Sequence, residues 1–267
     1  VTATQLVVTV PIGATYQPIT VLNTATGLLA QSTKPFVVTF GGNGITANSF
    51  LPKVDFATGS SLYSVAIGDL DGDGKSDIAV ADIFSNTVSI FRNTSTSGSI
   101  TTSSFLSKVD FSTGSQPHSV AIGDIDGDGK NDLAVTNKVS STISVFRNTS
   151  TSGSITTSSF ATKVDFTTGY EPLSVAIRDI DGDGKSDLAV ANAGSSTVSV
   201  LRNSSTSGSI STSSFATKRD FATGSNPYSV AIGDIDGDGK SDLVVANWNN
   251  TVSVFRNTST SGSITSS

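Results

Sequence analysis

The sequence of 267 residues contains no cysteine, no methionine and a single histidine. The absence of cysteine excludes disulfide bonds, thiolate metal sites and cysteine nucleophiles, and it is compatible with an oxidising exterior. No apolar run reaches the length of about 18 residues that a membrane-spanning helix needs, and the N-terminus shows no signal-peptide pattern. We therefore expect no membrane insertion. Because the chain begins at Val1, we expect that an initiator and any export signal were removed, or that the sequence is an excerpt of a longer precursor.

Charge is also scarce, because only 14% of the residues are charged and the formal net charge is −6. Of the 22 acidic residues, 16 fall in four copies of one loop. This distribution leaves no basic surface of the kind that binds phosphate backbones. We therefore expect no nucleic-acid partner.

The sequence does contain a repeat, which recurs every 55 residues when Asp69, Asp124, Asp179 and Asp234 are aligned. A period of this length is typical of propellers and repeat arrays. The repeat region spans residues 46–267, and its four units are 50–104, 105–159, 160–214 and 215–267.

Each unit contains four short apolar runs separated by Gly, Asn, Ser and Asp, and none of them has helical periodicity. In the second unit we predict strands at Phe105–Phe111, Ser119–Gly123, Asp132–Thr136 and Thr142–Arg147. Four-stranded sheets that repeat radially form a β-propeller. The predicted fold is therefore all-β, with propeller-type four-stranded blades.

One segment of each unit also carries a family resemblance. The sequence SVAIGDLDGDGKSDIAVA (Ser64–Ala81) and its three copies resemble the FG-GAP or VCBS repeat of integrin-type propellers and bacterial surface proteins. The resemblance covers residues 50–267 and implies a propeller blade with a cation in the loop between its first strands. Many relatives form a closed ring of more blades than the four repeats present here. Whether these four repeats close a ring is therefore left undecided.

The first 45 residues differ from the repeats, with strand-like runs at Leu6–Pro11, Ile19–Leu22 and Phe36–Phe40. They resemble the C-terminal half of an IPT/TIG immunoglobulin-like domain. Three strands cannot bury a sandwich core alone. We expect this partial segment to lean on the repeats, on another chain or on a further part of the protein.

The acidic loop of each repeat follows the first part of the calcium-loop pattern, with carboxylates at positions 1, 3, 5 and 9 and Gly at position 6. Position 7 is a lysine, which we expect to supply only its backbone carbonyl while its ammonium points to water. The glutamate of an EF-hand at position 12 is replaced by Val80 and its counterparts. The predicted ligands are Asp69, Asp71, Asp73, Lys75 and Asp77; Asp124, Asp126, Asp128, Lys130 and Asp132; Asp179, Asp181, Asp183, Lys185 and Asp187; Asp234, Asp236, Asp238, Lys240 and Asp242.

Hard oxygen ligands in an irregular loop favour Ca²⁺ over Mg²⁺, which demands tighter octahedral geometry. Two carboxylates about 4 Å apart repel by about 4 kcal/mol at an effective dielectric near 20, so an empty loop is expected to splay. We predict about four Ca²⁺ ions, one per repeat, with an architectural role. The alternative is that these residues form ordinary Asx turns without metal.

Comparison of each candidate catalytic residue with its counterparts in the other units favours structural roles. His118 aligns with tyrosine or leucine in the other units, which indicates packing. The carboxylates of the KVDF-type strands recur in every unit, and the nonrepeated ionisable candidates for catalysis are Asp82, Glu171 and His118. We therefore predict that the chain is not an enzyme. The recurring strand carboxylates are Asp55, Asp110, Asp165 and Asp220.

The Ser/Thr-rich segments between units, such as Asn148–Ser159, are expected to be ordered or partly ordered surface loops. Glycosylation is one interpretation of their N-x-Ser/Thr sequons, and simple solvation of a loop is the other. Trp248 is either a sugar-stacking platform or a packing or subunit contact. The sequons begin at Asn93, Asn148, Asn203, Asn249 and Asn257.

Each unit begins with a strand that should complete the preceding blade, so the last blade is expected to lack its fourth strand. Phe50–Phe56 could close a ring, two chains could pair, or successive subunits could donate strands head to tail. The leading hypothesis is a secreted or cell-surface structural or adhesive protein that self-associates or binds other extracellular components. The alternative is a calcium-dependent carbohydrate-binding module.

Overall fold

The computed structural model describes residues 18–22, 29–35 and 48–265 and divides into two units, Val1–Lys53 and Val54–Ser267. In the first unit, β1 (Pro18–Leu22) pairs antiparallel with β2 (Leu29–Pro35). The predicted strand Ile19–Leu22 coincides with β1, whereas β2 was not predicted. The predicted strands Leu6–Pro11 and Phe36–Phe40 lie outside the described residues, and the Ig-like resemblance stays a prediction.

The second unit contains only β-strands as regular structure among its described residues. No helix that could cross a membrane occurs in the described part of the chain. The strands are β3 (Leu62–Gly68), β4 (Asp77–Asp82), β5 (Thr87–Phe91), β6 (Val109–Ser112), β7 (Pro117–Gly123), β8 (Asp132–Asn137), β9 (Thr142–Phe146), β10 (Val164–Thr167), β11 (Pro172–Arg178), β12 (Asp187–Asn192), β13 (Thr197–Leu201), β14 (Arg219–Ala222), β15 (Pro227–Gly233), β16 (Asp242–Asn247) and β17 (Thr251–Phe255).

These strands form four antiparallel sheets, which we number blades 1 to 4 in chain order. The first three have the orders β3-β4-β5-β6, β7-β8-β9-β10 and β11-β12-β13-β14, and blade 4 has the three strands β15-β16-β17. The outer strand of each complete blade comes from the following repeat. The predicted all-β, four-stranded repeat architecture is confirmed, and so is the missing fourth strand of blade 4 within the described residues.

The observed boundaries differ most at the outer strand. The prediction placed a strand at Phe105–Phe111, but β6 spans only Val109–Ser112 and Phe105 makes a single bridge to Asn93. The Phe105 ring packs edge-on against Phe56, with ring centroids 5.0 Å apart. Phe105 therefore serves as a side-chain anchor ahead of the strand.

The hydrophobic core lies between successive blades. At the first junction, the small residues Ala79 and Ala81 of blade 1 pack against Leu133 and Val135 of blade 2. Alternating side chains point to opposite faces of a strand, so each blade presents one face of small or β-branched residues and one bulkier face. Two further clusters join blades 2 and 3 and blades 3 and 4 in the same way. We call these three contacts the internal junctions.

The four blades form an open arc. Their inner strands contact one another in the order β3, β7, β11 and β15, and no comparable contact joins β3 to any described strand of blade 4. Val65 and Ile67 of β3 are exposed at one end of the arc, and Val252 and Val254 of β17 are exposed at the other. We call these surfaces the head face and the tail face.

Candidate metal sites

Each candidate site is a tight loop between the first two strands of a blade. In blade 2 the loop runs from Asp124 to the start of β8, and Gly127 and Gly129 adopt φ angles of 70° and 87°. Only glycine takes these angles without strain. The turn lets the backbone N–H groups of both glycines donate to the Asp124 carboxylate, at 2.7 and 3.0 Å. The chain thus wraps around its first aspartate.

The ninth loop residue ties the loop to the rest of the blade. Asp132 is fully buried at the start of β8. Its Oδ2 accepts hydrogen bonds from the N–H groups of Ile125 and Asp126 at 3.0 and 3.2 Å, and its Oδ1 accepts one from Asn148 N–H at 2.7 Å. One carboxylate therefore holds the loop, the strand and the Ser/Thr-rich segment together.

In every repeat, three carboxylates at loop positions 1, 3 and 9 meet, with one oxygen from each lying within 4.8 Å of the others. The aspartates at position 5 lie outside these groups, and Asp73 Oδ2 instead accepts a hydrogen bond from Arg92 Nη2 at 3.0 Å. The groups are Asp69, Asp71 and Asp77; Asp124, Asp126 and Asp132; Asp179, Asp181 and Asp187; Asp234, Asp236 and Asp242.

The electrostatics of these groups fit a bound cation. Asp126 Oδ2 and Asp181 Oδ2 are buried and have no hydrogen-bond partner, which is costly for an ionised oxygen. Burial raises the pKa of Asp132 to about 7, and it raises the pKa of Asp77 and Asp187 to about 6. The sites of repeats 1 to 3 therefore need positive charge, either protons or a metal ion. The four groups, one per repeat, could hold a metal ion.

An arginine beside the acidic loop was missed by the sequence reasoning. In repeats 1 and 4, Arg92 and Arg256 donate from Nε to the third-position aspartates Asp71 and Asp236, each at 2.5 Å. In repeat 3, Arg202 Nη1 lies 3.9 Å from Asp181 Oδ2. The signal was present, because an Arg-Asn pair follows the third strand of every blade. These arginines supply part of the positive charge that the carboxylates require.

In repeats 2 to 4 the ammonium groups of the position-7 lysines do not point to water as expected. The ammonium groups of Lys130, Lys185 and Lys240 donate to the backbone carbonyls of Ser150, Ser205 and Ser259 at 2.9, 2.8 and 2.8 Å. An ammonium with three donors readily satisfies a nearby carbonyl, and the Ser/Thr-rich segment of the same repeat provides one. The predicted role of the lysine backbone carbonyls as ligands stays a prediction.

The Ser/Thr-rich segment of each later repeat also covers the acidic loop of the repeat before it. Asn148 Nδ2 and Ser150 Oγ both donate to Leu70 O at 2.8 Å, and Gly153 N–H donates to Asp71 O at 3.1 Å. The same pattern recurs one repeat later, where Asn203 Nδ2 donates to Ile125 O at 2.7 Å. These segments are therefore ordered parts of the junctions.

The packing of the Ser/Thr-rich segments over the acidic loops buries two of the predicted glycosylation sites. Asn148 and Asn203 are buried, and each side-chain amide donates to two backbone carbonyls. A glycan on either nitrogen would displace these hydrogen bonds. Asn148 and Asn203 are therefore not accessible for glycosylation in the folded chain.

The remaining candidates lie away from the acidic loops. The His118 ring packs on Tyr63, with centroids 4.7 Å apart, and its Nδ1 lies 2.8 Å from Leu173 O. Burial lowers the pKa of His118. The repeated aspartates bind the outer strand of each complete blade, as where Ser89 Oγ on β5 donates to Asp110 on β6 at 2.6 Å. Trp248 is exposed beside Tyr228.

A family model described as FG-GAP-like repeat matches the chain three times, at residues 69–135, 126–190 and 179–245. These overlapping matches span more than half of the chain, and each begins within or at an acidic loop. The chain belongs to the FG-GAP-like repeat family. No curated protein matched it. The matched residues run from the acidic loop of blade 1 into β16 of blade 4, and the first unit lies outside them.

Three solved structures show distant similarity to this chain. BBS1N in a complex with ARL6DN has a TM-score of 0.47 at 16% identity, covering 74% of this chain and 51% of that one. Virginiamycin B lyase from Staphylococcus aureus has a TM-score of 0.44 at 14% identity, covering 90% and 63%. A protein of unknown function from Desulfotomaculum acetoxidans has a TM-score of 0.45 at 15% identity, covering 85% and 62%. The chain thus spans about half to two thirds of these structures.

Proposed function

We propose that this FG-GAP-like repeat chain is an extracellular structural or adhesive protein whose blades are held together by calcium, one ion per repeat. The observation that carries the proposal is the position of the carboxylate groups. Each group sits at the edge of its blade, and the first three lie beneath the Ser/Thr-rich segment of the next repeat. An ion bound there would hold the loop on which the neighbouring blade rests.

Calcium suits these groups better than magnesium. The donors are carboxylate oxygens on an irregular loop with backbone carbonyls nearby, and Ca²⁺ tolerates such variable geometry. The chain has no cysteine, so no disulfide can staple its small Ser/Thr-rich blades. Structural metals often provide that constraint in small units. The metal role proposed here is stabilisation, not catalysis.

The test is a calcium titration of thermal unfolding on the whole chain, with magnesium as the competing ion. A site saturated at 100 times its dissociation constant contributes about 2.7 kcal/mol to the free energy of unfolding. We expect Asp126→Asn to lower the calcium-dependent part of this stability, because Asp126 Oδ2 has no other partner. Glu171→Gln is the matched control, since Glu171 is an exposed carboxylate outside the acidic loops. Unfolding that is independent of calcium would contradict the proposal.

Self-association is the second part of the proposal. It is supported by the open arc, which leaves apolar β3 and β17 residues exposed at its two ends. Exposed apolar sheet faces and unpaired strand edges are the features that proteins bury by assembly. Sedimentation of the purified chain over a concentration series, in calcium and in chelator, would measure this directly.

A carbohydrate-binding module is the alternative function. The observation that favours it is an exposed aromatic pair, Trp248 and Tyr228, whose ring centroids lie 5.3 Å apart. Flat aromatic faces with a polar rim can stack on sugar rings. A glycan array would test it, with Trp248→Ala expected to abolish any binding and Phe84→Ala, at another exposed aromatic, expected to retain it. The absence of any calcium-dependent glycan signal would contradict this alternative.

A further inference from the structure

We propose that the head face of one copy of this chain docks on the tail face of a second copy and continues the blade stack in the geometry of the internal junctions. The inference rests on the proposed self-association and names its surfaces, its register and its partner. The partner is a second copy of the same chain. Each element of the contact has a repeat-equivalent element that is already buried in an internal junction.

The head face and the tail face are equivalent to the two surfaces that pack together at each internal junction. Val254 is 59% exposed on the tail face, whereas its counterpart Val200 is 2% exposed in the junction between blades 3 and 4. On the head face Val65 is 62% exposed, whereas its counterpart Val120 is 5% exposed. At every internal junction, the face equivalent to the tail face is covered by the face equivalent to the head face. The internal junctions thus show what each free face accepts.

Blade 4 also contains an empty aromatic slot. A cavity of about 420 Å³ opens at its outer side. One blade earlier, the equivalent residues surround the ring of Phe215 as part of a buried cluster. The slot therefore has the lining of a phenylalanine site without the phenylalanine. Its lining residues include Ile180, Val200, Phe221, Leu243, Phe255 and Ile264.

The counterpart of Phe215 at the start of the repeats is Phe50, which is 80% exposed. Four residues further on, the segment 54–57 aligns with β6, the outer strand that completes blade 1. Because Ser89 pairs with Asp110, the same register places Asp55 opposite Ser253 of the second copy. Phe50 would then fill the slot, and segment 54–57 would become the fourth strand of blade 4.

The Ser/Thr-rich segment supplies polar contacts to the same interface. Ile235 in the acidic loop of blade 4 is 55% exposed, whereas its counterpart Ile125 is 1% exposed beneath the next repeat. At the first internal junction, an Asn amide and a Ser hydroxyl donate to the carbonyl of the equivalent residue, Leu70. Asn93 and Ser95 of a second copy occupy the equivalent positions and can cover the fourth metal loop.

The donor segment lies where a second copy could use it, because Phe56 packs on Phe105 with centroids 5.0 Å apart. The same distance separates Phe111 from Phe160, which follow the same arrangement one repeat later. Segment 54–57 is thus already held beside blade 1, in the place of the outer strand of a preceding blade. Blade 4 of its own chain is three blades away, so blade 4 of a second copy is the partner that fits.

A disulfide cross-link tests the register, because the chain has no cysteine of its own. A Cβ built on Gly68 or Gly123 would lie 3.5 or 3.7 Å from the Cβ of Ile122 or Ile177 in the next blade, whereas a Cβ on Gly233 would have nothing within 4 Å. Disulfides span Cβ separations of about 3.5 to 4.5 Å. Under oxidation, a mixture of Ile67→Cys chains and Gly233→Cys chains should form a disulfide-linked heterodimer.

The controls for the cross-link use positions away from the end faces. Val139→Cys, exposed on blade 2, replaces Ile67→Cys in the mixture and should give only background dimer with Gly233→Cys. The double variant Gly123→Cys with Ile177→Cys should form an internal disulfide and verify the geometry. If Ile67→Cys cross-links no better than Val139→Cys, while the internal disulfide forms, the inference is overturned.

Substitutions test the energetics in parallel by sedimentation. We expect Phe50→Ala or Val254→Lys to weaken association of the whole chain by about a hundredfold, because each removes a contact that is buried at the internal junctions. Phe84→Ala and Val139→Lys, at exposed sites elsewhere, should leave association unchanged. Association that all four variants preserve would overturn the head-to-tail contact and leave the proposed function intact. A chain that stays monomeric overturns both the contact and the proposed self-association, whereas the calcium titration still decides the stabilising role.

Discussion

The internal junctions and the open ends of the arc are built from the same residues and yet differ in their electrostatics. Asp132 and Asp242 occupy the same loop position and accept equivalent backbone hydrogen bonds. Burial raises the pKa of Asp132 to about 7, whereas the backbone hydrogen bonds from Asn257 and Ile235 lower the pKa of Asp242. The two aspartates differ because the following repeat covers blade 2, while nothing in the described chain covers blade 4.

A blade of this protein is therefore incomplete alone. The following repeat supplies the fourth strand, the apolar cover and the hydrogen bonds to the acidic loop. In repeat proteins, stability is approximately the sum of intrinsic repeat terms and nearest-neighbour interface terms. The same substitution can be made at equivalent positions of a blade that the following repeat covers and of a blade that it does not cover. The difference between the two losses of stability measures the contribution of the interface between blades.

The strongest effect that we expect is a fall in stability with rising pH when calcium is chelated. The pKa of Asp132 is raised to about 7 and those of Asp77 and Asp187 to about 6, from the ordinary 3.8. The metal-free folded state therefore holds protons more tightly than the unfolded state, so this stability is complete below about pH 4 and is lost as the pH rises through 6 to 7. Each pKa unit corresponds to about 1.4 kcal/mol.

Chemical denaturation in chelator at a series of pH values between about 4 and 7 measures this effect. The same series in saturating calcium is the control, in which the fall should vanish because the cation replaces the protons. A free energy of unfolding that rises with pH in chelator would show that the carboxylates at the internal junctions are no different from the one in blade 4.

The next effect concerns the amide that crosses a junction. Asn148→Ala should lower the free energy of unfolding by about 3 kcal/mol, because it removes the donor to Asn131 O, one of the two donors to Leu70 O, and the acceptor of Ser150 N–H. Asn93→Ala at the head end should cost about 1 kcal/mol, since the Asn93 amide donates to Ser76 O within its own repeat. Equal losses in urea denaturation would show that the cover adds nothing at this position.

A smaller difference is expected for one apolar position. Val200→Ala removes a side chain that is buried between blades 3 and 4 and should cost about 2 kcal/mol. Val254→Ala makes the same change at the exposed counterpart and should cost less than about 0.5 kcal/mol in the monomer. Chemical denaturation of both variants at low protein concentration measures these two changes. A loss of free energy of unfolding at Val254 as large as the loss at Val200 would mean that the tail face is covered.

The smallest effect that we expect is a gain in stability that does not depend on whether the following repeat covers the blade. Asp82 is fully buried where the other blades have asparagine, and Thr87 Oγ1 on the neighbouring strand has no hydrogen-bond partner. In blade 2 the Asn137 amide donates to Thr142 Oγ1 at 3.0 Å and to Ser144 Oγ at 2.9 Å. Asp82→Asn should restore this pair of hydrogen bonds and raise the stability in thermal unfolding by about 1 kcal/mol. A decrease would show that the buried carboxylate has a role of its own.

Much of the fold could be predicted because the repeat states it four times. The 55-residue period and the Gly and Asn punctuation placed the inner strands within two residues of their observed ends, as for the strand predicted at Ser119–Gly123 and observed at Pro117–Gly123. The outer strand was predicted too long, since Phe105 anchors by its ring instead of by strand pairing. A local sequence pattern predicts local backbone structure, whereas the packing of the Phe105 ring on Phe56 depends on residues that are distant in the sequence.

The candidate metal sites were less completely predictable. The spacing of the aspartates identified the loops, but only the folded backbone brings positions 1, 3 and 9 together and leaves position 5 beside an arginine in repeats 1, 3 and 4. The cover of each loop by residues such as Asn148, 78 positions away from Leu70, follows no local sequence pattern. Such contacts depend on how blades stack.

Residue pattern alone was enough to establish the all-β repeat, the four acidic loops and the need for each unit to borrow a strand from the next, because these features follow from spacing and side-chain chemistry within one period. The folded arrangement was needed to show that the arc stays open, that three loops are covered and one is not, and that an aromatic slot remains in blade 4. The physical reason is that burial is a property of neighbours. Identical residues acquire different exposures and different pKa values when one of them lacks the next blade.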